Sequence, residues 1–87
     1  MGDEATKITQ DHIENVISAV DYYFHGTLTV CVLTLINGFK VTGESACAHP
    51  DNYDQVVGAE IALGNAREKI WLLEGYLLRQ KLFEQGK

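Results

Sequence analysis

Apolar residues recur along this chain in three patterns: a helical spacing near the start, two β-type runs in the middle, and a second helical spacing to the end. In the first segment Ile13, Val16, Ile17 and Val20 repeat in steps of three and four, which predicts one apolar stripe on a helix. Thr9 is placed to cap it, Asp11 falls in its first turn, and Ile8 and Ile13 have the spacing of a hydrophobic staple. The reading is a frayed tail over 1–7 and a helix over 9–21. The aromatic group Tyr22, Tyr23 and Phe24 then packs the helix end onto the rest of the domain, with ligand stacking as its alternative role.

The middle segment carries two runs rich in Val, Leu and Thr, Leu28–Ile36 and Phe39–Ala46, separated by Asn37-Gly38. That pair predicts an antiparallel β-hairpin over 28–47 with a two-residue turn, because Asn and Gly tolerate the positive φ that such turns require. A two-residue turn sets Ile36 opposite Phe39, Thr34 opposite Val41, Val32 opposite Gly43 and Val30 opposite Ser45. This face is expected to meet the core. Leu33, Leu35 and Cys31 then point outward, and two outward leucines on a lone ribbon call for a cover, either another strand or another subunit.

Pro50 marks a linker, and Asn52 followed by Gln55 fits a capping pair for a long helix over 52–85. Glycines at 58, 64 and 75 are its weak points, and Gly64-Asn65 is the expected kink. Val56, Ala59, Leu63, Ala66, Ile70, Leu73 and Leu77 alternate in steps of three and four, which is a heptad seam. After Ile70 further apolar faces open through Trp71, Leu72, Tyr76, Leu78, Leu82 and Phe83. A helix apolar nearly all round must be covered on several sides. The fold expected is therefore α+β: an N-terminal helix, a hairpin and a long C-terminal helix in one domain, 1–87. Oligomerisation is expected through Leu63, Ala66, Ile70, Leu73 and Leu77, with Leu33 and Leu35 of the hairpin.

Composition narrows the choice of partner. A chain of 87 residues is one domain, and 46% hydrophobic with 22% charged residues is ordinary for a globular protein. The net charge of −5 argues against nucleic acid and anionic membrane surfaces as partners, since both leave basic patches in a sequence. Two cysteines make no disulfide scaffold, and neither a signal peptide nor a membrane-length apolar run is present. The expected location is a reducing cytoplasm.

Few residues offer chemistry. Ser45, in Gly43-Glu44-Ser45-Ala46-Cys47, lacks the closing glycine and the strand-turn-helix setting of a nucleophile elbow. Cys47 and His49, with Cys31 and His25, do not make the two closely spaced ligand pairs of a zinc site. No enzyme, metal or cofactor is expected. Arg67, Lys69, Trp71 and Tyr76, with Glu44 and Ser45 of the hairpin, are the candidate ligand residues. Arginine and lysine would form a ledge for a phosphate or carboxylate, and the aromatic rings a stacking surface.

The strings Leu28-Thr29-Val30-Cys31, Leu33-Thr34-Leu35, Asn37-Gly38-Phe39 and Val41-Thr42-Gly43-Glu44-Ser45-Ala46-Cys47 carry a further signal. With Pro50, Asn52, Asn65-Ala66-Arg67, Lys69-Ile70-Trp71 and Leu73-Glu74-Gly75-Tyr76-Leu77-Leu78, the chain resembles a family of small bacteriophage proteins. That family is named for a coliphage gene 49 product and a Shigella-phage gene 66 product. The likeness spans Leu28 to Leu82 and departs at Leu63-Gly64, where polar, helix-favouring residues are expected. It implies a phage or prophage accessory protein made in the bacterial host cytoplasm. Two functions are expected on these grounds. The first is a non-catalytic counter-defence protein that binds and sequesters a small nucleotide-type signal. The second is a protein–protein adaptor or inhibitor of a host defence enzyme.

Overall fold

The computed structural model describes residues 7–86, so the tail expected over 1–7 lies, apart from Lys7, outside the described residues. Thr9 caps the first helix as its sequence predicts, its hydroxyl accepting from the His12 N–H at 3.2 Å. The helix is short, however. α1 spans Gln10–Asn15, and the chain then enters a strand, β1, over Ile17–His25. The helix expected over 9–21 is thus a single helical segment followed by half a strand. β-Branched and aromatic residues dominate from Ile17 onward, and they favour the pleated conformation.

Two more strands follow, β2 over Leu28–Leu35 and β3 over Lys40–Ala46, in an antiparallel sheet of order β1-β2-β3. The hairpin between β2 and β3 is present, but its turn holds one residue more than predicted. Gly38 N–H donates to the Leu35 carbonyl and Leu35 N–H to the Phe39 carbonyl, both at 2.8 Å. Among the turn residues only Gly38 has positive φ, at 91°. This is a three-residue connection with glycine at the left-handed position, and Asn37 needs no strained backbone. Its amide oxygen instead accepts from the Phe39 N–H at 3.0 Å.

The extra residue changes the pairing. Leu33 faces Val41, Cys31 faces Gly43 and Thr34 faces Lys40. The side of β2 expected to be outward is the interior side. Thr29, Cys31, Leu33 and Leu35 are buried, while Val30, Val32 and Thr34 are half-buried on the far face. Val41 keeps its predicted place in the core.

Pro50–Asn52 forms a 3-10 turn, after which Tyr53 and Asp54 are extended. The cap of the long helix is therefore Asp54, two residues beyond the predicted Asn52. Its carboxylate accepts from the Val56 and Val57 N–H groups at 2.9 and 3.3 Å. The helix, α2, runs uninterrupted over Gln55–Glu84 and passes through Gly64-Asn65 without the expected break. At 1.5 Å per residue it is about 45 Å long, and the molecule measures 54 × 21 × 18 Å.

α2 lies on the inner sheet face over β3 and β2. The contact stripe is Gly58, Ala62, Ala66 and Ile70, spaced every fourth residue and mostly small. The predicted heptad seam shares only Ala66 and Ile70 with this stripe. Leu63 is half-buried, and Leu73 and Leu77 are exposed. Of the seven residues expected at a subunit interface, Leu33, Leu35, Ala66 and Ile70 are interior residues of a single copy. Ile13 of α1 belongs to the same buried core.

Candidate functional site

β1 is where the interior is left open. Because α2 sits over β2 and β3, the inner-face residues of β1 have little above them. These are Val20, Tyr22 and Phe24, paired with Leu33, Cys31 and Thr29. Val20 and Phe24 remain 45% and 44% exposed, and Tyr22 is half-buried. The Tyr22 and Phe24 rings stack with centroids 6.3 Å apart. The step from this uncovered face up to the flank of α2 makes an open trough, separate from the clefts at Ile8, Phe39, Ser45 and Tyr76.

Arg67 projects from that flank. Its Nη2 donates to Glu14 Oε1 at 3.2 Å, and its buried Nε lies 2.8 Å from Glu14 Oε2 without the alignment of a hydrogen bond, so an ion pair holds the guanidinium against Glu14. The charge reaches the trough floor. Burial pushes the Tyr22 hydroxyl pKa up, nearby Cys31 adds to this, and Arg67 opposes it. The Cys31 thiol is raised for the same first reason, with Arg67 lowering and Asp21 raising it. One turn beyond Arg67, Trp71 is half-buried against the core, and past it Glu74 Oε1 meets His12 Nε2 at 2.7 Å.

The other candidate residues lie elsewhere. Lys69 is on the opposite flank of α2 and reaches Thr42 Oγ1 at 3.5 Å. Asn65, one turn earlier on that flank, donates its amide to the Glu44 main-chain carbonyl at 2.8 Å, at the β3 edge. Ser45 lines a shallow cleft with Tyr53 and Ile61 at one end of the sheet. Tyr76 lines another with Leu35 and Leu77 at the far end. Within one copy the expected ledge is split. Arg67 and Trp71 share a flank, Lys69 and Glu44 belong to the other, and Ser45 and Tyr76 mark opposite ends.

The sequence offered ligand stacking by Tyr22 and Phe24 only as the alternative to packing at a helix end, and gave no sign of Glu14. The alternation Val20, Tyr22, Phe24 was the available signal. Cys31 is interior, and Cys47 Sγ donates to the His49 carbonyl at 3.2 Å. Among the described residues no group of three His, Cys, Asp or Glu side chains is placed to hold a metal ion, and no helix is long and apolar enough to cross a membrane.

The architecture is thus that of a small α+β protein whose one long helix covers two strands and leaves the third open. The chain belongs to the Phage protein (N4 Gp49/phage Sf6 gene 66) family, whose model matches residues 8–82. The match includes α1 and β1, so it starts twenty residues before the likeness read at Leu28. No curated protein and no solved structure matches the chain.

Proposed function

We propose that this phage protein is a non-catalytic binding protein that captures a small anionic ligand of nucleotide type in the trough between β1 and α2, as a counter-defence device. The observation that carries the reading is the placement of Arg67 beside the stacked Tyr22 and Phe24 on a floor left uncovered by the helix. An aromatic platform takes a base, and a fixed guanidinium takes a phosphate. The role of Lys69, Tyr76, Glu44 and Ser45 in this site is given up, since one ligand cannot span both flanks of the helix. The counter-defence setting rests on phage family membership.

Equilibrium dialysis against cyclic dinucleotides and cyclic ADP-ribose isomers tests the proposal. Retention of one of them, lost in Arg67→Gln and Tyr22→Ala, is expected. No retention of any, together with no nucleotide released on denaturing the purified protein, removes it.

A second reading has its own observation. From Leu72 onward α2 runs to and past the end of the sheet and exposes Leu72, Tyr76, Leu77 and Phe83, at 54% to 74% of their surface. Exposed apolar surface on a projecting helix suits a protein partner, such as a host enzyme to be inhibited. A pull-down from host lysate with wild type and with Leu77→Glu separates the readings. Recovery of a host protein by wild type alone supports this one, and recovery of nothing but the bait counts against it.

A further inference from the structure

The two edges of the sheet differ. Leu35 N–H donates to Phe39 and Ile36 N–H to Val16 at 2.9 Å, so the backbone of β2 points alternately to β3 and to β1. Along an antiparallel ladder this alternation is regular. Carried through the register, it leaves the groups of Lys40, Thr42 and Glu44 facing outward on β3, and those of Val20, Tyr22 and Phe24 facing outward on β1. The β3 edge is obstructed. The Asn65 amide occupies the Glu44 carbonyl, Lys69 crosses to Thr42, and Lys40 and Glu44 add charge. The β1 edge has no such obstruction among the described residues. It is nine residues long, contains neither Lys nor Pro, and exposes Tyr23 at 62% as well as Val20 and Phe24. Long apolar edges of this kind are templates for another strand.

We infer that the β1 edge is the docking surface for β1 of a second copy of this chain, paired antiparallel about a two-fold axis through Tyr23. The side chains of the strand select this occupant. With Tyr23 on the axis, Asp21 faces His25 of the second copy at both ends of the pairing, and Tyr22 faces Phe24 of the second copy twice. Aromatic cross-strand pairs are the stabilising kind, the Asp21 carboxylate faces an imidazole that can donate to it, and no like charges meet. An axis through Asp21 would set two carboxylates against each other, and an axis through Tyr22 would leave Asp21 facing Tyr23.

The pairing also completes the trough, so the inference rests on and deepens the capture reading. Val20, Tyr22 and Phe24 of both copies form one continuous floor. With strands about 4.8 Å apart, two helices each centred between β2 and β3 stand roughly 19 Å from one another. Packed helices approach to about 8–10 Å, so the space between these stays open, with Arg67 and Leu63 of each copy on its walls.

Disulfide trapping in a Cys47→Ser background tests the docking. Tyr23 meets its own copy as a non-hydrogen-bonded pair, with Cα atoms about 4.5 Å apart, which suits a disulfide. Tyr23→Cys should oxidise to a covalent dimer, while Asp21→Cys alone should not. Mixing Asp21→Cys with His25→Cys should give the cross-linked heterodimer. Val20→Lys with Phe24→Lys should give a monomer by light scattering, with an unchanged circular dichroism spectrum. The inference is overturned if the unmodified protein is monomeric at millimolar concentration. It is equally overturned if Tyr23→Cys cross-links no better than Asp21→Cys, or if the double lysine variant stays dimeric. None of these assays needs a ligand. A trapped dimer that retains no nucleotide removes the capture reading and leaves the docking surface standing.

Discussion

Gly43 is the residue on which the layer spacing depends. A Cβ there would fall on the Ala62 carbonyl oxygen and the Ala66 backbone nitrogen, with the Ala66 Cα at 2.9 Å. These are helix backbone atoms, which cannot turn aside as a flexible side chain would. Gly43→Ala should therefore destabilise by about 3 kcal/mol, the upper end of overpacking effects. For a domain of this size that lowers Tm by more than about 10 °C. A thermal melt within a few degrees of wild type would contradict the close approach. Cys31, opposite Gly43 on β2, gives a second residue-scale test. Burial raises its thiol pKa above the unfolded value. Below the ordinary thiol range both states hold the proton and the contribution to stability is complete. As pH climbs through that range the unfolded chain releases its proton first, so stability falls. Urea titrations should show this alkaline decline, and Cys31→Val should flatten it. Equal slopes in the two proteins would count against a protonated interior thiol. The same burial leaves Cys47 as the thiol that reacts in the native state, with Cys31 following on unfolding.

At the scale of elements, α2 begins where a side chain can satisfy its first N–H groups. Asp54→Ala should cost about 1 kcal/mol, and Asn52→Ala should be close to neutral. The reverse order, read by urea denaturation, would restore the cap to the predicted site. The long helix, the paired strands and the α+β class were legible in the sequence because their patterns are long and regular. β1 was not, for a specific reason. Its register shifts between Ile17 and Ala19, so Ile17 pairs with Leu35 and Val20 with Leu33, and both lie on the inner face of the sheet. A bulge sets residues three apart on one face and so imitates helical spacing. The α2 stripe was misread in a related way. Its true contact residues include Gly58 and Ala62, too small to register as hydrophobic, while Val56, Leu63, Leu73 and Leu77 of the expected seam are half-buried or exposed. The site was illegible for the same cause. Arg67 and Trp71 could be named, but their neighbours Tyr22 and Phe24 were assigned to a helix end.

The whole molecule is a one-sided sandwich. A 30-residue helix crosses a sheet shorter than itself, covers two strands of three, and projects past the end. The core is correspondingly small, and Val20, Phe24, Leu72, Tyr76, Leu77 and Phe83 remain in contact with water. Single exposed apolar residues are normal, whereas two continuous groups at separate places mark surfaces that meet something. One group lies along an unobstructed strand edge and the other along an overhanging helix, so the two can be tested apart. The edge is the group whose own residues specify a second copy. Sedimentation velocity of the full chain, from micromolar to millimolar, measures this most directly. The account predicts a dominant species of twice the 9.7 kDa of one chain. A single 9.7 kDa species at the highest concentration would contradict it.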